Sequence, residues 1–248
     1  MIEKDAKLEV ERIIDAGEKA GVRLRVLGGL AIYLSCPSAA THPMLKRSYA
    51  DIDLVGLEKD GSRLSRLFAD LGYIPDQRFN ALHGSTRMIF HNPEDGSHVD
   101  VFLDRFQMCH KLDLRQRLLP GYVTLPLIDL LITKLQIVEL NEKDMKDVLA
   151  LLLDHGAGAE AAGQLDLEYL ARLCGDDWGL YTTVSDNLLK SKEHLPDYLQ
   201  GDEIILVESK LEEILQKLQQ ASKSLRWRAR AKIGRRMEWY ELPDEVNR

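Results

Sequence analysis

Asp51, Asp53 and Asp100 are the residues of this chain whose types and spacing bear most directly on chemistry. Asp51 and Asp53 lie two apart in the alternating run Ala50-Asp51-Ile52-Asp53-Leu54-Val55, and Asp100 lies in a second such run, His98-Val99-Asp100-Val101-Phe102. Side chains two apart on a strand share a face, so the paired carboxylates point one way while Ile52 and Leu54 point into a core. Three carboxylates on neighbouring strands make a site for a hard divalent cation. Magnesium takes oxygen ligands in near-octahedral geometry and completes its shell with waters or phosphate oxygens. That ion, or manganese in its place, serves phosphoryl and nucleotidyl transfer, in which two ions about 4 Å apart activate a hydroxyl and stabilise the leaving pyrophosphate. The plainer reading of D-x-D is a solvated strand face beside a turn.

The elements that must position these carboxylates follow from periodicity. Residues 3–20 read as a helix, 22–27 as a strand ending at Gly28-Gly29, 29–35 as a short helix and 50–56 as the D-x-D strand. Leu64, Leu67, Phe68 and Leu71 mark a helix over 61–71. Residues 87–90 and 98–103 flank Asn92-Pro93-Glu94-Asp95-Gly96, a turn signal that makes them a hairpin. Residues 121–125 read as a last short strand before Pro126. Then comes an amphipathic helix with Leu127, Leu131, Lys134 and Val138 on one stripe, followed by Asn141-Glu142-Lys143-Asp144-Met145-Lys146-Asp147-Val148. Asn141 there is a natural N-cap and Asp144 then stands at N3, where a carboxylate favours the helix dipole. Asp147 has no such structural role in the sequence. Beyond Gly156-Ala157-Gly158 the pattern is helical, over 166–174, 179–190 and 203–224. The fold class is thus α+β, a small mixed sheet with helices over residues 1–155, followed by a helical C-terminal domain over 156–248.

The order helix, strand, Gly-Gly, short helix, D-x-D strand and hairpin with a third aspartate resembles the nucleotidyltransferase superfamily that includes DNA polymerase β. With the Lys134 helix and the K-D-x-x-D segment behind it, the chain is most similar to the bacterial minimal nucleotidyltransferase and AbiEii-type toxin branch. The resemblance spans roughly the first 155 residues. It implies that Gly28 and Gly29 form the turn approached by a nucleoside triphosphate, that Asp51, Asp53 and Asp100 hold the metal, and that Lys134 contacts the triphosphate. It implies also that an aspartate of the later segment, Asp147 or Asp144, supports the site. The chain departs from the family at the turn, where Gly-Gly followed by Leu30 replaces Gly-Ser. Phosphate contacts would then come from backbone N–H groups and the next helix N-terminus. Arg47, four residues before Asp51, either reaches a phosphate or is a solvated loop cation. Lys134 either contacts phosphate or carries its ammonium to water along the apolar stripe.

The implied activity is a Mg2+- or Mn2+-dependent transfer of a nucleoside monophosphate from an NTP to a hydroxyl acceptor. That acceptor is tRNA or another RNA in a toxin-like role with an antitoxin partner, or a protein or small-molecule hydroxyl such as an antibiotic's. The alternative is an inactive nucleotidyltransferase-fold protein that binds nucleotide or a partner. At 248 residues with 45% hydrophobic content, the chain suits a folded protein of two domains rather than a disordered one. No apolar run reaches membrane-spanning length, and the N-terminal segment has no signal-peptide apolar region, so a cytoplasmic location is expected. Cys36, Cys109 and Cys174 are scattered and fit neither a disulfide framework nor zinc spacing. His83, His91, His98 and His110 fit no zinc motif, although His98 shares a strand face with Asp100. Against a net charge of −7, residues 223–236 carry a cation at half their positions around Trp227. Such a block either follows a nucleic-acid backbone and stacks on a base, or is a solvated helix paired with nearby glutamates.

Overall fold

The computed structural model describes residues 3–49, 51–158 and 163–242. They form two compact units. The first takes in the described residues of Met1–Ser35, Ser48–Phe106 and Leu112–Pro126, the second those of Cys36–Arg47, Gln107–Lys111 and Leu127–Arg248. This division does not follow the change of pattern after residue 155. Hydrogen bonds from Ser38 N–H to Asp154 and from Arg47 to Asp147 join segments a hundred residues apart, a link that periodicity along the chain does not carry.

In the first unit, helix α1 (Glu3–Lys19) buries Ala6, Val10, Ile13 and Ile14 at helical spacing. Strand β1 (Arg25–Leu27) leads into α2 (Gly28–Ser35), and a second short helix, α3 (Pro37–Thr41), belongs to the other unit. Strand β2 (Ile52–Gly56) carries the D-x-D motif from Ile52 onward; Asp51 directly precedes it and Ala50 lies outside the described residues. Helix α4 (Gly61–Asp70), strand β3 (Ile74–Pro75), helix α5 (Gln77–His83) and the hairpin β4 (Arg87–His91) and β5 (His98–Leu103) complete the framework.

The sheet order is β1-β2-β5-β4-β3, with β2 and β5 parallel and every other neighbouring pair antiparallel. It is the small mixed sheet expected. One face is apolar and fully buried: Ile52, Leu54, Met88, Phe90, Val99 and Val101 pack there, and Phe68 of α4 stacks on Phe90 with ring centroids 4.1 Å apart. The alternate positions of β2 and β5 face the other way and carry the carboxylates. The strand expected over 121–125 reduces to one parallel bridge, Val26 to Thr124. Gly121 at positive φ and Pro126, which has no N–H to donate, leave no room for a longer ladder. Short strands β6 (Arg105–Gln107) and β7 (Lys111–Asp113) form a two-stranded ribbon.

The second unit is helical: α6 (Leu127–Leu135), α7 (Glu142–Asp154), α8 (Leu167–Asp176), α9 (Trp178–Glu193), α10 (Leu195–Tyr198), α11 (Asp202–Gln220) and α12 (Leu225–Ile233). A short parallel pair, β8 (Gly156–Gly158) and β9 (Gln164–Asp166), interrupts the helices where an unbroken helical pattern was expected. Side-chain caps begin several helices: Asn141 accepts from Asp144 N–H as the sequence predicts, and Asp166, Asp177 and Ser224 do the same for α8, α9 and α12. At the far end of α7 the Lys210 ammonium donates to the carbonyl of Leu152, in the last turn of the helix, and to that of His155 just beyond it. Among the described residues, no helix is long and apolar enough to cross a membrane.

Candidate active site

The parallel pairing of β2 and β5 sets Asp53 directly beside Asp100, with Ile52 beside Val99 and Leu54 beside Val101. Asp53 and Asp100 therefore share the face opposite the apolar core, and Asp51, exposed, precedes them on the same side. Beneath Asp53 runs the Gly28 backbone at φ +70, and a Cβ there would stand 2.3 Å from Asp53 Oδ2. The first glycine of the Gly-Gly pair thus has a conformational reason: at this left-handed φ a side chain is strained, and a Cβ would also have to push the Asp53 carboxylate aside. Gly29 is the second residue of α2.

Asp100 is 2% exposed and its carboxylate is met by a guanidinium. Arg87 Nε donates to Oδ1 at 2.9 Å and its terminal nitrogen to Oδ2 at 2.7 Å, a bidentate fork. The pairing of β4 with β5 explains it. Ile89 lies opposite Asp100, so Arg87, two residues back on the same face, reaches Asp100 diagonally. The Arg87 guanidinium also stands 5.6 Å from the Phe79 ring centroid and 5.0 Å from that of Phe102. Arg87 was not anticipated from the sequence. The signal was available in the hairpin register, which the 92–97 turn determines. His98 Nε2 lies 3.8 Å from Asp100 Oδ2, consistent with their shared strand face.

Oxygen donors of this kind fit a hard cation in chemical type, and the Gly28 cradle orients one of them. Among the described residues, however, no three His, Cys, Asp or Glu side chains stand together as a ligand set. Both oxygens of Asp100 are already engaged by Arg87.

The remaining candidates gather in the second unit. Arg47 forks onto Asp147, Nε to Oδ1 at 2.9 Å and a terminal nitrogen to Oδ2 at 2.7 Å. Lys134 Nζ lies 2.9 Å from that same Oδ2 and 2.9 Å from Asp144 Oδ1. Asp147 is fully buried on α7, and the Lys134 side chain is 13% exposed. Burial works against the ammonium, but Asp147 and then Asp144 outweigh it and hold Lys134 above the ordinary lysine value. Asp147 therefore has a structural role the sequence did not show, as the shared anion of two cations. Lys134 does not run to open water; its charge is neutralised at short range.

Residues Leu225–Ile233 of the basic block form α12, and several of the block's cations donate to main-chain carbonyls or, in one case, to an aspartate rather than to the nearby glutamates. Arg230 donates to the carbonyls of Gly234, Met237 and Glu238 and lies over Trp178; Arg235 pairs with Asp186; Lys223 donates to Leu218 O; Arg228 donates to Lys223 O. A groove of about 640 Å3 runs beside it, lined by Trp178, Trp227, Trp239, Tyr240, Arg226 and Arg230 among others.

No protein-family model matches the chain, and no curated protein matches it. Among solved structures it is similar to the lincosamide antibiotic adenylyltransferase LnuA, at 16% identity over 58% of this chain and 94% of that one, with a TM-score of 0.40. It is similar also to the antibiotic-resistance factor ANT(2'')-Ia, at 13% identity over 61% of this chain and 84% of that one, with a TM-score of 0.41. At such values the functional reading rests on this chain's own residues.

Proposed function

We propose that the protein transfers a nucleoside monophosphate from an NTP to a hydroxyl acceptor, with Asp51 and Asp53 holding a divalent ion. The observation that carries this reading is the arrangement on one face of β2 and β5, where Asp53 stands in register with Asp100 and is cradled by Gly28 at positive φ. A sheet that served only as scaffold has no need of aspartates at successive positions of one face beside a glycine that must be left-handed to admit them.

Asp51 and Asp53 would bind Mg2+ or Mn2+, which when present lowers the pKa of the attacking hydroxyl and offsets charge on the leaving pyrophosphate. The chain's own contribution is positional. The sheet fixes the spacing of the carboxylates, the apolar face beneath holds the strands rigid, and the main-chain N–H groups of Gly28-Gly29 at the start of α2 would meet a phosphate. For the acceptor we favour a small-molecule or protein hydroxyl over RNA. Arg228, Arg230, Arg235 and Lys223 are engaged within the second unit, which leaves the 223–236 block a weaker match to a phosphate backbone than its composition suggests.

The test is incubation with each α-labelled NTP, Mg2+ and, separately, total RNA, a protein extract and a panel of polyhydroxylated small molecules. Label transfer with stoichiometric pyrophosphate release is the expected result. Saturable NTP binding without either would replace transfer by a binding-only role.

A further inference from the structure

We propose that Asp100 is no metal ligand in this protein but a positioning residue, and that what it positions, Arg87, is a binding group for the nucleotide's phosphates. The inference rests on the nucleotidyl-transfer reading and departs from a three-carboxylate metal site. Asp100 gives both oxygens to Arg87 in a fork at 2.9 and 2.7 Å. The guanidinium is flanked by the rings of Phe79 and Phe102 at 5.6 and 5.0 Å, so it cannot swing aside without losing two aromatic contacts as well as the ion pair. A metal taken by this nearly buried carboxylate would either stand beside the guanidinium that already shares both oxygens, two positive charges at close range, or displace it and leave a cation unpaired, and both are costly.

Arg87 itself is not used up. A guanidinium has five N–H donors, and the fork engages two nitrogens, leaving donors whose partners are none of the described residues. The side chain is 25% exposed, on the face that carries Asp53 and Asp100. A pre-oriented, partly desolvated guanidinium beside a carboxylate pair is suited to a phosphate oxygen, which it meets in the same planar, bidentate manner. Ion and cation then divide the work: Asp51 and Asp53 take the metal, and Arg87 takes phosphate charge the metal does not reach.

The experiment is a pair of titrations on the full chain, with Mn2+ alone followed by paramagnetic resonance and with inorganic tripolyphosphate in the absence of metal. Asp51→Asn and Asp53→Asn should weaken Mn2+ binding at least about tenfold, because each removes a ligand charge. The deciding variant is the double substitution Arg87→Gln with Asp100→Asn, which preserves net charge and leaves no ion unpaired. It should bind Mn2+ within about threefold of wild type yet lose tripolyphosphate affinity about tenfold, as should Arg87→Gln alone. Asp100→Asn alone should also weaken tripolyphosphate, which a purely structural carboxylate would not do while its melting temperature holds. A tenfold loss of Mn2+ in the double variant overturns the proposal and leaves the transfer reading standing, and so does unchanged tripolyphosphate affinity. Mn2+ binding that ignores Asp51 and Asp53 removes the transfer reading's metal pair and this assignment with it.

Discussion

Two opposing effects set the state of Lys134. Burial favours the neutral amine, while Asp147 and Asp144 at 2.9 Å favour the ammonium, and the carboxylates win. A base whose folded pKa lies above its unfolded one contributes stability that is fully present below the unfolded value, near 10.5, and is lost as the pH rises through the folded one. At neutral pH the cluster is therefore fully formed. Lys134→Met keeps most of the side-chain volume and leaves Asp147 to Arg47 alone, so it should destabilise the protein by about 3 kcal/mol in denaturant unfolding. A change under about 0.5 kcal/mol would show that the pair is not part of the framework. The neighbouring residues show what a sequence does and does not disclose. The cap from Asn141 to Asp144 was legible because capping depends on residue types three apart. The burial of Asp147 between two cations was not, because Arg47 reaches it from a hundred residues away.

At the level of elements, the parts whose order depends on short-range chemistry matched expectation: the 92–97 turn and its hairpin, the Gly28 turn and the long amphipathic helices. Helix α5 was missed because it buries no residue and so has no apolar stripe, and α3 because it is barely more than a turn. The diagonal from Arg87 to Asp100 needs the strand register, which shows only when the hairpin is paired residue by residue. The segment after α12 has its own device. Trp239 Nε1 donates to Thr183 Oγ1 at 3.1 Å, the His110 ring meets that same hydroxyl at 2.8 Å, and Glu241 N–H donates to Cys109 O. Burial lowers the pKa of His110 while Asp177 pulls the other way, leaving the net value below the ordinary 6.5. A base with a depressed folded pKa keeps its full contribution above the unfolded value and loses it as the pH falls below about 6.5, because the released state takes up the proton first. Tryptophan fluorescence should accordingly shift between pH 7 and pH 5 in the wild type and stay flat in His110→Gln. The same pH profile in both proteins would mean that His110 does not govern the segment's attachment.

For the whole molecule, a formal charge of −7 sets the terms on which a polyanion can bind. Arg226 and Lys232, both exposed, have no hydrogen-bond or ion-pair partner among the described residues. If RNA is bound there, Arg226→Gln with Lys232→Gln should reduce the salt dependence of tRNA affinity by about two counterions. We expect instead that wild type and variant give the same shallow slope, in keeping with a non-RNA acceptor; a steep wild-type slope lost in the variant would restore RNA as the acceptor. Along the chain the residues change unit five times, which no reading of composition foresees, whereas the carboxylate face of the sheet was readable from alternation alone. If Asp51 and Asp53 position a metal for nucleotidyl transfer, the rate of pyrophosphate release from NTP with Mg2+ and acceptor should fall more than about a hundredfold in Asp51→Asn and in Asp53→Asn while their melting curves stay unchanged, since an amide keeps the volume but not the ligand charge. Turnover near the wild-type rate in either variant would contradict it.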